Sequence, residues 1–258
     1  MEFYRLNIIV FILYFLVFSS CKGQPDEKKA TAAVKINVQE KAKEYNYKDL
    51  NVLSNYIDTL RLHKYYNQIK AFKIEDSLCQ YTDIDVAFVG SSSIRKWKSL
   101  QKDMQGLKVM NRGFGGSSVP EAIYYSDILF FNRPIKKIVF YSGDNDLVFL
   151  RSNPEKVISS YKYLYNILSS KLPNIEIYFL SVKPSPGRWR YWEQMQEINT
   201  ALIEFCKNKL NCKFIDVSSC LVNESGTIKK EFFKKDGVHL NKQGYQVWTN
   251  IIYPIISE

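Results

Sequence analysis

The chain has 258 residues, 46% hydrophobic, 15% aromatic and 24% charged. This balance excludes disorder, collagen and coiled coil for the chain as a whole and suits one large domain or two small ones. Lys and Arg number 36 against 26 Asp and Glu, a formal net charge of +10. A basic balance admits nucleic acid, an anionic membrane surface or an acidic polymer as a neighbour. The positive charges are scattered, with no arginine-rich run, zinc-ligand spacing or RNA-binding aromatic signature. A solvated basic surface without a nucleic-acid partner is therefore expected.

The first 20 residues have the layout of an export signal. Arg5 precedes a run of mostly apolar residues from Asn7 to Phe18, and Ser19-Ser20-Cys21 follows. The run is short for a spanning helix, which needs about 20 apolar residues. The Phe-Ser-Ser-Cys end resembles a bacterial lipoprotein signal, which implies lipidation of Cys21, membrane anchoring through it, and location in the bacterial cell envelope. An ordinary cleaved signal and an uncleaved anchor are the alternatives. The other cysteines are Cys79, Cys206, Cys212 and Cys220. An exported chain permits disulfides, and four cysteines allow three pairings that sequence alone leaves open. Their spacing matches no metal motif, and no cofactor is expected.

From Lys22 to about Lys48 the chain is rich in Lys, Glu and Ala, the composition of a spacer. Leu53, Tyr56, Ile57, Leu60, Tyr65, Ile69, Phe72 and Ile74 then recur at near-helical spacing. The expected organisation is a signal over 1–20, a tether with a leading helix over 21–62, and one globular domain over 63–258. Within that domain, strands are predicted at Asp85–Val89, Leu107–Asn111, Lys137–Tyr141, Ile175–Val182 and Lys213–Val217. Helical patterns fall at Ile94–Met104, Pro120–Phe131, Pro154–Leu172, Tyr191–Leu210 and Asn241–Ile256. Continuous apolar strands alternating with amphipathic helices predict a parallel sheet covered on both faces. Ligands in such sheets bind beyond the carboxyl ends of the strands.

Three stretches stand at such ends, and a fourth lies near the C-terminus, before the last helix. Gly90-Ser91-Ser92-Ser93 follows the first strand, where serines can cap a helix, cradle a phosphate or present a nucleophile. Asn111-Arg112-Gly113-Phe114-Gly115-Gly116 follows the second, and its glycines let backbone approach a ligand. It lacks the further glycine and acid of a dinucleotide fingerprint. Ser142-Gly143-Asp144-Asn145-Asp146 follows the third, read either as turn chemistry or as an amide donor in the cleft. Asp236-Gly237-Val238-His239 carries one of only two histidines, three residues after a carboxylate that can orient its ring. The other, His63, lies in an amphipathic stretch and is expected at the surface.

Taken together and in this order, the four stretches resemble the blocks of the SGNH (GDSL-type) hydrolase superfamily. The match runs from about Tyr65 to Ile256, with Ser91 where the family usually has Asp. The resemblance implies a three-layer α/β/α sandwich with a five-stranded parallel sheet of flavodoxin-like order. It implies Ser92 as nucleophile, with Ser93 its near competitor, His239 as base and Asp236 as its orienting acid. The oxyanion donors would be the Ser92 and Gly116 amides and the Asn145 side chain. It implies ester hydrolysis through an acyl-enzyme without metal or cofactor. Lys183–Trp192 should border the same cleft, and Arg188, Trp189 and Trp192 are candidate substrate contacts, Trp and Tyr faces being able to stack on sugars and Arg to hold an anion. Packing of the two Trp residues is the competing reading. A short acyl group, acetyl on a saccharide, is the preferred substrate, with a phospholipid-directed esterase and a non-catalytic binding protein as alternatives.

Overall fold

The computed structural model describes residues 59–78 and 83–258. The signal, Cys21, the tether, Cys79 and the side chain of His63 lie outside the described residues. Helix α1 (Thr59–Leu78) precedes the sheet and crosses the boundary expected between residues 62 and 63. The strands are β1 (Ile84–Gly90), β2 (Val109–Gly113), β3 (Ile135–Tyr141), β4 (Glu176–Leu180) and β5 (Cys212–Ile215), each at its predicted place. They form one parallel sheet in the order β2-β1-β3-β4-β5. The expected α/β fold with a five-stranded parallel sheet is the observed one. Reversal of strand order beside β1 opens a crevice at the carboxyl ends of β1 and β3.

Strand alternation divides the apolar residues between two cores. Ala87, Val89, Ile138, Phe140, Ile177 and Phe179 face one side, while Val86, Phe88, Val139, Tyr141, Tyr178 and Leu180 face the other. The first face packs against α1, α4 (Val119–Tyr124), α6 (Pro154–Lys171) and α7 (Trp192–Lys207). The second packs against α2 (Ser92–Arg95), α3 (Leu100–Asp103) and α8 (Lys242–Ile256), with Trp97 and Trp248 fully buried. Between β3 and α6 runs the short α5 (Asp144–Phe149).

Two predicted helices are broken. Ile94–Met104 is two short helices, because the carboxylate of Asp103 accepts hydrogen bonds from the Trp97 indole N–H and the Ser99 hydroxyl, both 2.6 Å, which closes a turn between them. Pro120–Phe131 stops as α4 at Tyr124 and continues through a π-turn over Asp127–Phe131, which seats Leu129 and Phe130 in the core.

The described cysteines are not equivalent. Cys206 at the end of α7 and Cys212 at the start of β5 are buried with their Sγ atoms 3.0 Å apart, whereas Cys220 donates to the Val217 carbonyl at 3.3 Å. A small rotation brings the first two to bonding distance. Exposed to a disulfide donor such as oxidised glutathione, the pair should close a 206–212 bridge, giving up two hydrogens while the donor is reduced to two thiols. Peptide mapping of alkylated protein with and without reductant checks this. A bridge through Cys220 instead, or none, is the opposing result.

Candidate active site

Four loops meet at the carboxyl edge of the sheet. The first turns so tightly that it excludes a side chain: Gly90 has φ +145°, and a Cβ there would lie 2.0 Å from the Tyr141 carbonyl oxygen. The Ser91 N–H donates to that same carbonyl at 3.0 Å, so the chain leaves β1 held against β3 and Ser92 opens α2.

The last loop brings His239 to it. Gly237 N–H donates to Lys234 O at 2.9 Å and Lys234 N–H to His239 O at 2.8 Å, which closes the turn on itself. Asp236 Oδ1 accepts from the Val238 and His239 backbone N–H groups, 2.9 Å each. From outside, the Lys183 ammonium donates to Val238 O and Gly187 N–H to Gly237 O, both at 2.8 Å. Thus the segment after β4 does border the loop, as supports of the histidine turn. The Tyr245 hydroxyl of α8 donates to Ser93 O at 2.8 Å and ties the two loops together.

In this frame His239 Nε2 lies 2.9 Å from Ser92 Oγ, and Nδ1 lies 2.7 Å from Asp236 Oδ2. Ser92, not its neighbour Ser93, meets the ring. Asp236 is held well below the usual carboxylate range: burial opposes its charge, but the backbone and ring N–H groups that it accepts outweigh that. His239 is also lowered. Burial contributes most, and the Lys96 and Lys183 charges add to it against the opposing Asp236. Lys96 Nζ stands 3.0 Å from His239 Nδ1 and 4.0 Å from Asp236 Oδ2. With Nδ1–H given to Asp236, a lysine ammonium at that distance opposes a second positive charge on the ring and keeps Nε2 free to accept a proton.

Gly116 and Asn145 sit in the loops that follow β2 and β3. Gly116 adopts φ +84°, and its carbonyl accepts from Arg61 at 2.7 Å and Tyr65 at 2.9 Å. Asn145 is buried, and its side-chain amide donates one N–H to Ser117 O at 2.8 Å. Below them Asp146 accepts from Val119 N–H at 3.0 Å and Gly143 N–H at 3.1 Å, and burial pushes it up to about 7.

The aromatic segment departs from expectation in one respect. Arg188 is not a free guanidinium at the cleft: it is buried and ion-paired with Asp144, because a desolvated Arg needs a carboxylate partner. Trp189 and Trp192 are half-buried and stack on each other at 6.0 Å, with Trp192 packed against the core. Sequence reasoning missed Lys96, Lys183, Arg61, Tyr65 and Gln68. Lys96 was visible only as the residue one helical turn beyond Ser92, Tyr65 only as a member of the apolar pattern, and Arg61 and Gln68 only as two of many polar residues in the same helix.

Residues 76–247 match the GDSL-like Lipase/Acylhydrolase family, and the chain belongs to it. It is thus a GDSL-type acylhydrolase, an esterase by class. Over 178 residues it is 29% identical to the N-acylneuraminate cytidylyltransferase of Escherichia coli O18:K1:H7 (strain RS218 / NMEC), a match that covers 67% of this chain and 40% of that protein. The chain therefore spans less than half of that relative. Among solved structures, a protein of Streptococcus pneumonia provisionally assigned as a platelet activating factor superposes with TM-score 0.68 at 21% identity, covering 77% of this chain and 95% of that one. A GDSL-like lipase of Bacteroides thetaiotaomicron VPI-5482 gives 0.62 at 18%, covering 73% and 97%. A Clostridium thermocellum family 3 carbohydrate esterase gives 0.54 at 15%, covering 67% and 97%. At these identities the structural likenesses show the fold.

The sign of the Lys96 effect is open to measurement. An imidazole that is to accept a proton must be neutral, so an activity that uses His239 as its base would fall as pH drops through the His239 pKa. Removing a neighbouring cation raises that pKa. In Lys96→Met the acid limb of the kcat/KM profile should therefore move to higher pH, with the plateau kept, and an unmoved limb would show that Lys96 does not act on the ring.

Proposed function

We propose that the chain is a serine esterase that removes short acyl groups, acetyl foremost, from saccharides. The observation that carries the reading is the relay from Ser92 Oγ through His239 to Asp236, at 2.9 and 2.7 Å, assembled from opposite ends of the domain. In this reading His239 Nε2 takes the Ser92 proton as Oγ attacks the ester carbonyl, and returns it to the departing alcohol. Water, deprotonated by the same nitrogen, then releases the acid from the acyl-enzyme. Asp236 keeps the ring in the tautomer this needs. The oxyanion is met by the Ser92 and Gly116 amides and by Asn145, whose amide has a second N–H beyond the one given to Ser117.

The saccharide part rests on lighter support. The carbohydrate esterase among the structural neighbours names that substrate class. The half-exposed Trp189–Trp192 pair offers an aromatic face at the rim. We also read residues 1–21 as an export and lipidation signal, which would hold the enzyme at the cell envelope through Cys21.

With p-nitrophenyl acetate, Ser92→Ala should lose on the order of 10⁴-fold or more in kcat. Equal rates for the two proteins would sink the serine-esterase reading. Asn145→Ala should lose about 10²–10³-fold in kcat with KM little changed. On a panel of acetylated glycans, short acyl esters and lysophospholipids, acetate release from the glycans by wild type alone is expected. Turnover confined to lysophospholipid vesicles would transfer the substrate to lipids, and binding without turnover would make the chain a binding protein.

A further inference from the structure

We propose that α1, which precedes the first strand, is the positioning element of the oxyanion loop, acting through Arg61, Tyr65 and Gln68. The inference rests on the serine-esterase reading and names residues outside the four motif blocks. The three side chains stand at i, i+4 and i+7, one face of a helix. The Gly115 N–H donates to Gln68 Oε1 at 2.8 Å, and the Gly116 carbonyl accepts from both Arg61 and Tyr65. The peptide between them carries the Gly116 N–H, the proposed oxyanion donor. The group before that N–H and the group after it are therefore both held from α1.

Such holding is needed here because the loop is intrinsically soft. Adjacent glycines have the largest backbone freedom of any residues, and Gly116 sits at φ +84° without a side chain to anchor it. The clamp is itself braced. Arg61 pairs with Glu121 at 2.7 Å, and Glu121 accepts from Ser118 N–H at 2.7 Å, so α1, the loop and the start of α4 form one hydrogen-bonded unit. Tyr65 is fully buried, with its ring edge-on to Phe114 at 5.2 Å, which fixes where its hydroxyl points. Farther along, Asp76 of α1 pairs with the buried Arg112 and with Arg133, which locks the helix against the end of β2.

An oxyanion donor contributes only while it stays aimed at the developing charge. Loss of a clamp should therefore lower kcat and leave KM nearly unchanged. Tyr65→Phe keeps the ring packing and removes only the hydroxyl, so it should fold normally and lose about 10-fold in kcat. Tyr65→Phe with Arg61→Met should approach the roughly 10²-fold loss of an oxyanion donor. Gln68→Leu should also lower kcat, and Gln68→Glu, which restores an acceptor for the Gly115 N–H, should recover most of it. Tyr66→Phe, on an exposed position of the same helix, is the control with wild-type kinetics. Amide hydrogen exchange of residues 113–117 gives a readout independent of turnover and should quicken in the clamp variants alone. Unchanged exchange in Tyr65→Phe, or quickened exchange at wild-type kcat, would overturn the positioning role. A Ser92→Ala protein as active as wild type would remove the esterase reading and this inference with it, whereas serine-dependent activity insensitive to the clamp overturns the inference alone.

Discussion

The contact between Ser92 and His239 joins residues 147 positions apart, and much of the molecule serves to hold it. A single half-buried hydrogen bond of this kind contributes little to stability, on the order of 1 kcal/mol. It persists because both partners are delivered by rigid backbone. Gly90 bends the chain off β1 into contact with β3, and the histidine turn is closed by its own amides and propped by Lys183 and Gly187. The two sides then share a packed wall, in which Trp97 stacks on Tyr245 at 5.1 Å and both lie against Trp248. Aromatic burial thus sets the distance that the chemistry uses.

Charge is arranged around this contact with opposing effects on the imidazole. Asp236 favours the charged ring, while burial, Lys96 and Lys183 oppose it, and the opposition wins. The consequence is an imidazole that remains neutral over a wider range of pH. Lys183 is itself fully buried, and burial lowers it to about 8 against the attraction of Asp144 and Asp236, so it is largely charged at neutral pH. Its ammonium is satisfied by the Val238 carbonyl and lies 5.4 Å from the Phe233 ring centre. A buried cation is costly without partners, and here those partners belong to the histidine turn, so the charge also fixes geometry. The buried Arg188–Asp144 pair holds the segment after β4 to the start of α5, after β3.

The layered fold was legible because it depends on short-range patterns. Each strand is a continuous apolar run whose alternate residues enter different cores, and each helix between strands shows its own periodicity. Helix ends were less legible, since side-chain hydrogen bonds decide them: Asp103 splits one expected helix, and burial of Leu129 and Phe130 turns another into a π-turn. The candidate site residues Ser92, Gly116, Asn145 and His239 were legible because four compact stretches, after predicted strands or before the last helix, resemble the blocks of a known family. Their supports were not. Lys96, Lys183, Arg61 and Gln68 look like ordinary surface residues until the chain is folded, Tyr65 looks like a core residue only, and Arg188 read as a substrate contact because its partner, Asp144, lies 44 positions away.

By itself the sequence determined the order of elements, the apolar faces that force a covered parallel sheet, and the small set of side chains able to act as nucleophile, base and amide donor. Periodicity records the elements, because it arises within a few residues, and the candidate side chains follow from the resemblance of four short local blocks to a known family. The tertiary structure alone decided which cations press on the ring, which cysteines touch, and that α1 grips the Gly115–Gly116 loop. Those outcomes depend on distances between segments far apart in the chain, which only packing of the two cores brings to within a hydrogen bond.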